Sequence, residues 1–211
     1  MEATMLVVGL TGGIACGKSR VRKHLGEHAD TRTFDCDAEA KKILFSADFQ
    51  PCAEQSLGAD AFCAGQLDKD RVSAIIFYDS ERRERLAKLL YPLVRSVMNS
   101  ERQKAEADGI KLFIIESAII FETGLDRLCD MTVCITCGPT EQLRRLIHSR
   151  GMTEDSARAR IATQLPERER VNRSDLSMSA ECPFGELEVR TNNLHDYLRR
   201  VAEVTERNQL T

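Results

Sequence analysis

The chain has 211 residues, 42% hydrophobic and 30% charged, with 30 Lys and Arg against 33 Asp and Glu for a net charge of -3. That is an ordinary globular mix, long enough for one domain with insertions to bury roughly 70% of its unfolded surface. The near-neutral balance excludes a surface built throughout to grip nucleic acid or anionic membrane, and the absence of Trp with only 5% aromatics leaves no base-stacking platform. Neither nucleic acid nor membrane is expected as a partner.

Residues 1–4 carry no basic run, and the apolar stretch 5–10 is too short for a signal peptide. The later stretch 112–121 is broken by Glu116 and cannot cross a bilayer, so the chain is expected in the cytoplasm. Eight cysteines in an unsecreted chain of this size read as reduced thiols. Cys134 and Cys137 form a CxxC, but no second pair at zinc spacing accompanies them. They lie in the apolar run 131–137, which reads as a buried strand, and are expected to be core cysteines.

In chain order, residues 5–10 are continuously apolar, as a strand covered on both faces requires. Glycines follow at once, and Val21, His24 and Leu25 then recur at helical spacing through about Glu27. The run 31–34 is a weak second strand ending in Asp35-Cys36-Asp37, with a short helix over 38–45. Residues 49–108 read as a mostly helical insertion. Within it, 68–77 carries Val72, Ile75 and Ile76 on one face, and 80–107 carries Leu86, Leu89, Leu90, Leu93, Val94 and Val97. Residues 111–116 and 131–136 are expected as the third and fourth strands, and 140–150 as a helix with Leu143, Leu146 and Ile147 inward. The segment 141–175 sets eight arginines against six acids; Gly151 breaks its first helix and Thr153 caps the next. The last strand is expected at Leu187-Glu188-Val189, with a closing helix over 194–206 whose inner face is Leu194, Tyr197, Leu198 and Val201.

Strands alternating with helices give the α/β class, a largely parallel sheet with helices on both faces and its ligand at the carboxyl ends of the strands. Gly12-x4-Gly17-Lys18-Ser19 fits the GxxxxGK[ST] phosphate-binding pattern completely and sits between strand and helix, the context that pattern needs. The backbone of Gly13, Ala15, Cys16, Gly17, Lys18, Ser19 and Arg20 can cradle phosphates at the positive end of a helix. Lys18 reaches the β- and γ-phosphates, and the Ser19 hydroxyl ligates Mg²⁺. No guanine-reading NKxD or transporter-type signature accompanies the loop. A short chain with a helical insertion and a late arginine-rich segment has the layout of a P-loop nucleotide-kinase-like small-molecule kinase. On that layout the core is 1–48, 109–140 and 176–211, the acceptor-binding insertion 49–108 and the lid 141–175.

Two further groups carry chemistry. Asp35 and Asp37 follow the second strand at the same rim as the loop; on an extended segment they point to opposite sides and do not share one task. Asp37 is the expected general base for an acceptor hydroxyl, and Asp35 a second candidate for the metal. Arg145 and Arg150 end the helix leaving the fourth strand and are expected to meet the charge of a transferring phosphoryl group. Arg158, Arg160, Arg168 and Arg173 read as solvated helix faces. The residues so far leave the acceptor open, and with it a nucleotide-binding module without catalysis.

From Leu6 to about Asp175 the ordered motifs resemble the dephospho-CoA kinase family. They are Leu10-Thr11-Gly12-Gly13-Ile14-Ala15-Cys16-Gly17-Lys18-Ser19, Asp35-Cys36-Asp37, Leu67-Asp68-Lys69-Asp70-Arg71, Ile76-Phe77, Leu90-Tyr91-Pro92-Leu93-Val94-Arg95, Ile119-Ile120-Phe121-Glu122, Gln142-Leu143-Arg144-Arg145 and Gln164-x5-Arg170-x3-Ser174-Asp175. The resemblance implies transfer of the ATP γ-phosphate to the 3′-hydroxyl of dephospho-CoA, with a P-loop core, a helical CoA-binding part and a lid. It places Asp37 at the catalytic carboxylate and Arg145 at the lid arginine. Tyr91, Ala118 and Arg170 stand where the family usually has His, Pro and Lys. The short strand and Asn-containing turn that the family has after Asp175 are expected late, at Val189-Arg190-Thr191-Asn192.

Overall fold

The computed structural model describes residues 5–209; residues 1–4, on which the expectation about a targeting signal falls, lie outside the described residues. Strand β1 (Leu6–Gly12) is buried at every position, which explains its unbroken apolarity. Helix α1 (Lys18–Leu25) follows the glycine loop, buries Lys18, Val21 and Leu25, and stops at Gly26. Strand β2 (Thr31–Asp35) is only partly buried.

Residues Cys36–Glu101 form a compact unit of their own. It holds α2 (Cys36–Leu44), α3 (Gln50–Leu57), the antiparallel pair β3 (Phe62–Cys63) and β4 (Gln66–Leu67), α4 (Lys69–Tyr78) and most of α5 (Ser80–Ala107). Asp68 caps α4 by accepting from the N–H groups of Asp70 and Arg71. Arg82 binds Asp60 and the Leu57 carbonyl, tying α5 to the end of α3. The buried stripe of α5 is Leu86, Leu90, Val94 and Met98, whereas Leu89 and Leu93 are 38% and 43% exposed. A one-residue step turns a side chain about 100° around a helix, so the apolar face is narrower than the count of leucines suggests.

The second compact unit comprises the chain up to Asp35 together with the chain from Arg102 onward. It adds β5 (Leu112–Glu116), β6 (Met131–Thr136), α6 (Pro139–Arg150), α7 (Glu154–Ala162), α8 (Glu167–Arg173), β7 (Leu176–Ser179) and α9 (Phe184–Gln209). The strands form a parallel sheet in the order β2-β5-β1-β6-β7. Val8, Leu10, Ile114, Val133 and Ile135 pack on one face against Val21 and Leu25 of α1 and Leu187, Leu194 and Leu198 of α9. Thr153 caps α7 as its sequence implies. Among the described residues no helix is long and apolar enough to cross a membrane.

The end of the chain corrects two expectations. The last strand is Leu176–Ser179, and Leu187-Glu188-Val189 lies inside α9. An edge strand of four residues with only Leu176 and Met178 turned inward gives almost no apolar signal. In α9 the buried positions Leu187, Thr191, Leu194, Leu198 and Ala202 keep helical spacing, while Val189 and Tyr197 are exposed. The family's short strand after Asp175 is therefore in its usual place, not displaced to 189–192.

Strand register assembles the functional rim. Asp35 pairs with Glu116, Leu10 also with Glu116, and Gly12 with Ile135. The carboxyl ends of β2, β5, β1 and β6 thus come together, where ligands bind in such sheets.

Candidate active site

Gly12, the last residue of β1, begins the loop at φ 148. Cys16 N–H donates to the Gly13 carbonyl, a tight turn that sets Ala15 at φ 60, and Gly17 enters α1 in the left-handed region. No side chain caps α1, the Arg20 N–H donates to the Gly17 carbonyl, and the positive end of the helix lies at the loop, where it favours an anion. Lys18 is buried, its ammonium donating to the carbonyls of Gly12 and Gly13 at 2.9 and 3.0 Å. Arg20 lies 5.1 Å over the Phe184 ring.

Behind the loop runs a network absent from the sequence reading. Ser19 donates its hydroxyl proton to Glu116 Oε1 at 2.7 Å, and Arg22 Nε donates to Glu116 Oε2. Arg22 also binds Asp35 at 3.1 Å. Glu116 is only 5% exposed, so its charge depends on these partners. A serine hydroxyl that gives its proton to a carboxylate keeps its lone pairs for a cation. Among the described residues no group of three or more His, Cys, Asp or Glu could hold a metal.

Asp35 and Asp37 do not share an extended segment, which corrects the strand-alternation argument. Asp35 ends β2, whereas Asp37 is exposed in the first turn of α2. Acids favour the positive end of a helix, so the chain turns helical at Cys36.

Helices α6 to α8 clamp the loop. Gln142 Nε2 donates to the Ile14 carbonyl and Ile14 N–H donates to Gln164 Oε1, both at 2.7 Å. Arg145 donates to the carbonyls of Ala15 and Ala180 at 3.3 and 2.9 Å. Arg150, five residues on, is exposed at the end of α6, about 7.5 Å further along the helix. Arg170 is instead the second arginine at the loop: a methyl group on Gly13 would sit 2.8 Å from its guanidinium. Arg170 is 4% exposed, donates to the Leu165 carbonyl, and its buried Nε has no partner among the described residues.

Hydrogen bonds from Arg144 and Arg145 hold the Glu141 carboxyl at about 2, far below its ordinary 4.5. Because the folded value is depressed, the grip of Glu141 on Arg145 adds stability that is fully present above about pH 4.5 and is lost as pH falls through about 2. An NMR titration of the Glu141 carboxyl is expected to give a midpoint near 2 in the wild type, and a clearly higher one in Arg145→Ala. A wild-type midpoint near the ordinary value would mean that the pair does not persist in solution.

A glycine loop with a buried lysine, on a parallel sheet of this order with a helical unit inserted after β2, defines a P-loop small-molecule kinase. The fold is that of a Thermus thermophilus crystal structure with TM-score 0.79, 24% identity and coverage of 92% of this chain and 98% of that one. A Campylobacter jejuni dephospho-CoA kinase structure aligns with TM-score 0.65 at 18% identity, covering 92% and 97% of the two chains. Residues 6–182 match the dephospho-CoA kinase family. A curated dephospho-CoA kinase of Streptomyces avermitilis is 34% identical over 192 residues, 90% of this chain and 92% of its own. The chain belongs to the dephospho-CoA kinase family.

Proposed function

We propose that the chain transfers the γ-phosphate of ATP to the 3′-hydroxyl of dephospho-CoA, giving coenzyme A and ADP, the last step of coenzyme A synthesis. The observation that carries this is a family match running from β1 to Cys182, so that it spans the helical unit as well as an intact phosphate loop. We place the reaction in the cytoplasm, where the chain's free thiols stay reduced.

The loop amides and Lys18 hold the β- and γ-phosphates, and Arg145 and Arg170 supply positive charge at the same loop from α6 and α8. Ser19 would hold Mg²⁺, with Glu116 fixing the Ser19 hydroxyl from behind, and the ion would supply positive charge to offset that of the phosphates. Asp35, already paired with Arg22, serves to fix that network. Asp37 accepts the proton of the 3′-hydroxyl as the new O–P bond forms and the bond from γ-phosphorus to the bridging oxygen breaks. The lid over 141–175 and the acceptor-binding part over 49–108 remain assigned as in the family.

An acceptor panel read by ADP release tests the reading: strong release with dephospho-CoA and little with nucleosides or nucleoside monophosphates is expected. Preference for a nucleotide acceptor would assign the chain another substrate, and ATP binding with no acceptor-dependent release would make it a binding module. Glu116→Gln is expected to raise the magnesium concentration for half-maximal activity by about 10- to 100-fold, the usual cost of losing a partner behind a metal ligand. An unchanged magnesium titration would remove Glu116 from the metal's surroundings.

A further inference from the structure

We propose that Cys16 and Cys137 form a reversible disulfide, generated by hydrogen peroxide, that closes the phosphate loop to ATP. The proposal rests on the nucleotide-binding role of that loop. Cys16 lies inside the loop and Cys137 just beyond β6, 121 residues apart, and their sulfurs are 3.6 Å apart. Pairing of Gly12 with Ile135 brings the two chain segments together. Closing to a disulfide bond of about 2 Å needs the sulfurs to approach by about 1.5 Å.

The surroundings favour reaction at Cys16. The hydrogen bond from Cys137, then the positive charges of Lys18 and Arg170, pull the Cys16 thiol below its ordinary range, against the effect of burial. Cys137 is pushed the other way by sharing its proton with Cys16 and by burial. Cys134, buried within β6, is pushed up to about 11 chiefly by burial and stays a thiol. The CxxC is therefore not the reactive pair; the partner of Cys137 is across the sheet rim.

The Cys16 thiolate attacks one oxygen of the peroxide, so that an S–O bond forms, the O–O bond breaks and the leaving hydroxide is protonated to water. Cys137 then attacks the sulfenic sulfur; the S–S bond forms, the S–O bond breaks, and the Cys137 proton leaves with hydroxide as a second water. Two thiols lose two electrons in all and the peroxide is reduced to two waters. Both sulfurs are buried, Cys16 fully and Cys137 at 2% exposed, so the oxidant that suits them is one as small as hydrogen peroxide and not a bulky disulfide reagent. Phosphates bound in the cradle would hold the loop around Cys16 in place and slow the closure.

The disulfide draws the Cys16 side chain toward the start of α6 and disturbs the turn that holds its N–H on the Gly13 carbonyl. Losing even one cradle hydrogen bond to a charged phosphate predicts ATP affinity lower by about tenfold or more. The test treats the full-length wild type with hydrogen peroxide, maps linked peptides by mass spectrometry and measures ATP binding. A Cys16–Cys137 peptide is expected, forming more slowly with Mg-ATP present, together with the affinity loss and its recovery in dithiothreitol. In Cys137→Ser the linked peptide is absent, and Cys16 goes on to a sulfinic acid that dithiothreitol does not reverse. Absence of the wild-type peptide at doses that oxidise the exposed Cys63 overturns the pairing, and a linked peptide with unchanged ATP affinity overturns the closure. ATP binding by the reduced protein bears only on the functional reading, so the two failures are distinguishable.

Discussion

Asp37→Ala is expected to lower kcat by about two to four orders of magnitude, the range lost with a general base, while ATP affinity stays within about twofold. The split follows from position. Asp37 is outside the phosphate loop, in the first turn of α2 and two residues beyond the carboxyl end of β2, whereas the cradle and Lys18 belong to the β1–α1 connection. On the proposed role of Asp37, removing the carboxylate takes away the proton acceptor and the alignment of the 3′-hydroxyl and leaves the triphosphate contacts in place. Asp37→Asn keeps the shape and is expected to be as inactive, because an amide cannot take the proton at neutral pH. Loss of ATP binding as severe as the loss of turnover would instead make Asp37 a structural residue or a metal ligand.

The largest stability effect is expected at Gly12. A Cβ there would lie 2.2 Å from the backbone carbonyl oxygen of Ile135, and φ is 148, so neither a side-chain rotation nor a local backbone shift relieves the clash. Parting β1 from β6 is the remaining route, and it would spoil the rim on which the loop is built. Gly12→Ala should therefore cost about 3 kcal/mol or more of a total near 5–15 kcal/mol, seen as a lower urea midpoint. ATP binding is expected to fall with it. Gly185→Ala serves as the comparison: nothing lies within 4 Å of the added methyl, and the position is helical. It should be neutral or stabilise by about 0.5 kcal/mol. Equal behaviour of the two variants would contradict the close strand approach at Gly12.

What was legible in the sequence depended on how locally each feature is encoded. The phosphate loop was complete because each step of its backbone demands a residue type, from Gly12 at the strand end to Ser19 in the first helical turn. The central strands β1, β5 and β6 announced themselves by unbroken apolarity, the mark of burial on both faces. Glu116 carried a usable signal that went unread as a site: an acid closing the run Leu112–Ile115 must have a partner, and a neighbour of β1 offers the loop serine. Arg145 could be placed from the face of its own helix. Arg170 could not, since its burial against Gly13 depends on how α6 to α8 fold back over the loop. Strand β7 was missed because an edge strand of four residues needs only two apolar side chains, and the spacing of α9 was broken up by reading Leu187 and Val189 as alternation. The approach of Cys16 to Cys137 is set by strand order alone, which no window of sequence contains.

The most direct test of the account is to incubate the chain with Mg-ATP and dephospho-CoA and locate the transferred phosphate on the product by phosphorus–proton NMR. The account predicts ADP in equal amount to a product that gains one phosphoryl group, coupled to the ribose 3′ proton. ATP bound without turnover, or a phosphate carried elsewhere on the acceptor, would contradict it.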